Sequence, residues 1–119
     1  MADKDAEKRA RIAEINKRLN EIDEKLAKIP DEIERLDSAR KNKRVKMLDY
    51  TKKIQEQLEA ATNKSTQAKL ATKSAEYIDK ENQELCGITR NKDELSREQT
   101  TLSVEKAKLE QEKADLLKS

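Results

Sequence analysis

The densest chemistry-bearing group in the chain is Arg40, Lys41, Lys43, Arg44 and Lys46, with no acid between Ser38 and Leu48. Lys52 and Lys53 follow further along. Such a cluster can hold anions: a phosphate backbone, an anionic membrane surface or an acidic protein. The plainer alternative is a solvated stretch of helix. The whole chain carries 27 Lys and Arg against 25 Asp and Glu, a net +2, so long-range attraction to nucleic acid is weak. No aromatic residue lies among these cations, so stacking on single-stranded bases is poorly supported. A basic-region zipper needs an apolar heptad soon after its cations, which Met47, Tyr50 and Ile54 supply only loosely.

Other reactive groups are sparse. Cys86 is the single cysteine, so an intrachain disulfide is excluded, and a small apolar role near a helix end is its simplest reading. A lone thiol fits a cytoplasmic or other reducing intracellular compartment. Carboxylates abound, but nothing builds a dry cleft to tune them for acid–base work. With no His, the Ser-His-Asp and Cys-His nucleophile arrangements cannot be assembled, nor can the usual nitrogen and sulfur metal sites. One glycine is too few for a phosphate loop or a dinucleotide fingerprint. The expectation is a non-enzymatic chain with no catalytic residue, no metal and no cofactor.

The elements that position these groups follow from composition and period. Charged residues form 44% of the 119 positions and aromatics 2%, with one Pro. Lys, Glu, Ala, Leu, Gln and Arg dominate, and these are strong helix formers. Disorder competes with helix in so charged a chain, and periodicity decides between them. Ile12, Ile15, Leu19, Ile22, Leu26, Ile29, Ile33 and Leu36 alternate at spacings of three and four. That is a heptad seam, with Ile12, Leu19, Leu26 and Ile33 at a and Ile15, Ile22, Ile29 and Leu36 at d. Arg40 and Lys43 take the next two slots before Met47, Tyr50 and Ile54 resume the seam, and Leu58 adds a stutter. A second stripe, Ile88, Leu95, Leu102, Leu109 and Leu116, repeats every seven residues. Its flanks are acidic (Glu98, Glu105, Glu112) and basic (Lys92, Lys106, Lys113). One apolar residue per heptad makes a narrow face that needs a partner.

The predicted fold is all-α, either a long-helix coiled coil or an antiparallel helical hairpin or bundle. Breaks are expected near Pro30, Asn63 and Gly87. They give segments of about 4–28, 31–62, 66–86 and 88–118 within a single coiled-coil domain over 1–119. Pro30 lacks an amide donor and either kinks a helix or restarts one. The hydrophobic phase runs through Pro30 undisturbed, which favours the kink. Asn63 to Thr66 offers capping chemistry, Asn63 as a left-handed C-cap and Ser65 or Thr66 as an N-cap, within an alanine-rich, weakly apolar region. Gly87 is a natural helix C-cap, although one glycine inside a helix costs only about 1 kcal/mol.

Pairing preferences conflict. Compared with themselves, the flank charges of each stripe favour parallel self-pairing, whereas Ile at d disfavours parallel dimers. Packing of the segments within one chain reconciles the two. A fold-back near Asn63 would also set positions 40–46 against roughly 80–86, pairing the basic stretch with the acidic stretch Glu76, Asp79, Glu81 and Glu84. No apolar run approaches the ~20 residues needed to span a bilayer, and no signal-type apolar core follows the charged start Met1–Asp5. The function expected is a coiled-coil structural or interaction protein: a scaffold, spacer or adaptor. Its partners are itself or other helical chains, as a homo-oligomer or within a larger assembly. The alternatives are an anion or nucleic-acid binder using residues 40–46, and a small helical effector of a larger protein.

Overall fold

A computed structural model of the chain describes residues 2–119. The fold is all-α, a helical hairpin of two long helices, α1 (Ala2–Ala60) and α2 (Lys64–Lys118). No strand occurs among the described residues. Ala61, Thr62 and Asn63 make the connection.

The expected break near Asn63 is where the chain turns, but Asn63 acts by a different chemistry from a left-handed C-cap. No non-glycine residue has positive φ among the described residues. Asn63 instead caps the start of α2: its Oδ1 accepts the Ser65 amide at 2.8 Å, and its carbonyl accepts the Gln67 amide at 3.0 Å. The Gln67 side chain donates back to the Ala61 carbonyl at 2.9 Å. The Ser65 amide, a donor that a helix start leaves without an intrahelical partner, is thereby satisfied.

The other two expected breaks do not occur. α1 runs through Pro30. Proline removes one helical hydrogen bond and crowds the preceding turn, at about 3 kcal/mol. Pro30 is exposed at the edge of the seam, and Ile22, Leu26, Ile29 and Ile33 stay in the packed cluster before and after it along the helix. Tertiary burial on both sides of the proline outweighs the local penalty. α2 likewise runs through Gly87, which does not adopt positive φ. The four expected segments are therefore two helices.

Gly87 is helical with no steric reason to be glycine, since an added Cβ would meet nothing within 4 Å. Gly87→Ala is expected to stabilise the chain by about 0.5–1 kcal/mol, through helix propensity and a less flexible unfolded chain. Thermal melting followed by circular dichroism checks this; an unchanged or lower Tm would contradict it.

The chain forms two compact units, Met1–Ile33 with Asp93–Ser119, and Glu34–Lys92. In the first, α1 and α2 pair antiparallel around Ile22, Ile29 and Leu102, with Leu26, Ile33, Leu95 and Leu109 packed against them. The d-position Ile15, Ile22 and Ile29 are buried, whereas the a-position Ile12, Leu19, Leu26 and Ile33 are half-buried. The asymmetry follows from the sequence of α2. Its facing stripe supplies one leucine per heptad, while Gln99 and Lys106 take half-buried slots between them.

In the second unit the same α1 seam continues with Leu36, Arg40, Lys43, Met47, Tyr50 and Leu58 half-buried and Ile54 buried. Leu70, Tyr77, Ile78, Leu85 and Ile88 of α2 are half-buried. The Tyr50 and Tyr77 rings lie 3.8 Å apart at 31°. They fill a layer that would otherwise be thin in this alanine-rich stretch.

Candidate interaction surface

The charges on the flanks match the antiparallel pairing of the helices in the first unit. Arg18 grips Glu105 through two parallel bonds, Nε at 2.7 Å and an Nη at 2.9 Å. One heptad away, Arg11 grips Glu112 in the same way, at 2.7 and 2.9 Å. Both guanidiniums also touch an acid one turn on in α1, Glu14 at 3.2 Å and Glu21 at 3.3 Å. On the opposite flank Lys106 pairs with Asp23 at 2.7 Å. The basic flank of α1 thus meets the acidic flank of α2, and an acid of α1 meets the basic flank of α2.

Comparing each stripe only with itself misses this match and leans toward parallel pairing. The signal in the sequence is two series of period seven, Arg11 and Arg18 ascending, Glu112 and Glu105 descending. An antiparallel pair brings such series into register, and bidentate Arg–carboxylate geometry makes them the stronger kind of surface ion pair.

In the second unit the fold-back sets one cation of the basic cluster against the acidic stretch. Lys43 occupies a seam slot, and its ammonium reaches Glu81 at 2.8 Å and also bonds Glu84. The Lys43 and Glu81 side chains are 27% and 15% exposed, so this is a polar layer within the seam. Lys92 pairs with Asp37 at 2.7 Å. The remaining members of the cluster are placed differently: Arg40 is half-buried in the seam, and Lys41, Arg44 and Lys46 are exposed. Among the described residues, none of these four makes an ion pair with a carboxylate. Of the five cations, Lys43 is thus ion-paired within the seam, and Lys41, Arg44 and Lys46 face solvent.

The expected interaction seam lies inside the hairpin. Ile15, Ile22, Ile29 and Leu102 are buried, and Ile12, Leu19, Leu26, Ile33, Leu36, Ile88, Leu95, Leu109 and Leu116 are half-buried. The large apolar groups left to solvent are others: Leu48 (72% exposed), Leu117, Val45 and Val104. Leu48 stands beside a groove of about 450 Å³ in the second unit, walled by Met47, Leu48, Thr51, Ile78, Asn82 and Leu85, with Arg44 at its edge. Leu48 falls outside the three-four seam, so heptad reading alone passes over it. Cys86 is a free, exposed thiol.

Among the described residues no three His, Cys, Asp or Glu side chains are grouped as a metal ion would need. No helix of the described residues is long and apolar enough to cross a membrane. The chain matches no family model, no curated protein and no solved structure.

The ion pairs shift their groups in one direction. Arg18, hydrogen-bonded to Glu105, holds that carboxyl below its ordinary value of 4.5; Arg11 does the same to Glu112, and Lys43 to Glu84. The partner cations, Arg11, Arg18 and Lys43, are pushed up in turn. The lowered carboxyls bind protons more weakly in the folded than in the unfolded chain. Their stabilisation is complete above the unfolded carboxylate range and disappears as pH falls through the lower folded values. Tm is expected to fall on acidification below about pH 5 and to be less pH-sensitive in high salt. A Tm that stays flat or rises from pH 6 to pH 3 at low salt would contradict this.

Proposed function

We propose that the chain is a non-enzymatic helical interaction protein, a scaffold, spacer or adaptor that binds other helices. The carrying observation is that the hairpin closes its heptad seam internally yet leaves Leu48 exposed beside an apolar groove. Helices recognise helices by seating one apolar face in such a groove. The absence of His, the single glycine and the single cysteine in the sequence support the non-enzymatic reading. Partners are helical protein segments, either a second copy or another chain.

Phosphate binding through residues 40–46 is the less favoured reading, because Lys43 is already neutralised by Glu81 and Glu84 and Arg40 lies in the seam.

Light scattering after size exclusion, with circular dichroism across dilution, tests the reading alongside titration with amphipathic helical peptides. Helical self-association that reverses on dilution, or uptake of a helical peptide, supports it. A helical monomer that takes up no helical peptide of either flank charge would refute it.

A further inference from the structure

The groove in the second unit carries a charge signature that selects among partners. Its α2 wall, Ile78, Asn82 and Leu85, is uncharged. Its α1 wall ends in Arg44, and Lys41 and Lys52 are exposed before and after it in α1. None of these three cations has a carboxylate partner among the described residues. Of the nearby acids of α2, Glu81 and Glu84 bond Lys43, whereas Asp79, outside the groove's lining, is an exposed carboxylate that accepts only from the neutral Gln83 amide. The one charged side chain in the walls of this largely apolar groove is therefore a cation, Arg44.

Resting on the helix-binding reading above, we propose that this groove docks an amphipathic helix of another protein, with an apolar stripe flanked by Glu or Asp. The partner's leucine-type side chains enter between Met47, Leu48, Ile78 and Leu85, at i, i+3 or i+4, and i+7 spacing. Its acids meet Arg44, Lys41 and Lys52, which gives orientation and a faster encounter.

A second copy of this chain is a poor occupant. A two-fold contact through the groove sets it against its own copy, whose walls carry no carboxylate to meet Arg44. The chain's own acid-flanked leucine stripe is not free to serve. Leu102 is buried, Leu109 is half-buried, and Glu105 and Glu112 are held by Arg18 and Arg11.

The test uses the full chain and two fluorescein-labelled synthetic helical peptides with the same leucine stripe, one flanked by Glu and its twin by Lys. Fluorescence anisotropy should show the Glu peptide binding at least about tenfold tighter than the Lys twin, and weakening with salt. Leu48→Ser should weaken the Glu peptide by about tenfold or more while leaving helicity unchanged, because Leu48 is exposed. Arg44→Glu should reverse the preference between the peptides. Bound Glu peptide should also slow alkylation of Cys86, the neighbour of Leu85.

Equal binding of both peptides, or Glu-peptide binding that ignores Leu48→Ser, would overturn the proposal. So would a homodimer lost in Leu48→Ser, which would place a second copy in the groove. Binding of a duplex oligonucleotide with no uptake of the Glu peptide would assign the cations to phosphate and likewise overturn it. If the Lys twin or a second copy binds and the Glu peptide does not, this proposal fails and the helix-binding reading stands. If no helix binds, both fail.

Discussion

Ile22→Asp is expected to destabilise the chain by about 4 kcal/mol or more, with a large loss of helical signal at 37 °C. Ile22 is fully buried and belongs to the cluster with Ile29 and Leu102. Removing such a side chain costs about 2–5 kcal/mol through lost burial and the cavity left behind. A carboxylate in its place adds the penalty of an unpaired buried charge, which puts the variant in the rare severe class. Domains of this size hold only about 5–15 kcal/mol in total. Leu48→Asp is the internal control. Leu48 is 72% exposed, so its change should stay within about 0.5 kcal/mol. Denaturant unfolding of both variants separates the two apolar sets. Comparable losses at the two positions would mean that the hairpin packing described above is not the packing in solution.

Lys43→Glu is the second large effect expected. Lys43 sits in the seam between Glu81 and Glu84, and the substitution removes both ion pairs and sets three carboxylates together. A polar residue in a heptad seam matters most for register, because an alignment that sets it against apolar side chains is penalised. The melting temperature should fall further than in Lys41→Glu or Lys46→Glu, whose side chains are exposed. Restoring complementarity with Glu81→Lys and Glu84→Lys in the same chain should recover most of the loss. A Lys43→Glu variant that melts like Lys46→Glu would show that the polar layer neither stabilises nor aligns the helices. Failure of the charge-reversed triple variant to recover would assign the effect to the lysine stem, which also covers apolar surface.

These two residues mark how far sequence reading reaches. The all-α class, the seam from Ile12 to Leu36 and the leucine stripe from Ile88 to Leu116 are legible because helix period and burial share one cause. A side chain every three or four residues falls on one face, and an apolar face must be covered. The turn at Asn63 is legible for a similar local reason, since few apolar residues surround it and its side chain can cap.

Pro30 and Gly87 show where local signals mislead. Each has a preference of about 1–3 kcal/mol against helix interiors. The rows of buried and half-buried aliphatics around them exceed that preference, and only packing between the helices supplies the burial. The flank charges were in plain view, yet their meaning depended on which helix faced which. Arg18 faces acid or base according to direction and partner, and the pairing with Glu105 settles it.

The sequence by itself determined that the chain is helical and which faces are apolar, and marked Asn63 as one of three candidate breaks, because these are properties of residues close along the chain. The tertiary structure decided that the seam closes within the chain, that Lys43 takes Glu81 and Glu84 while Arg44 has no carboxylate partner among the described residues, and that Leu48 remains exposed beside a groove. Those outcomes depend on which distant residues are brought together, and heptad spacing carries no information about that until the two helices are aligned.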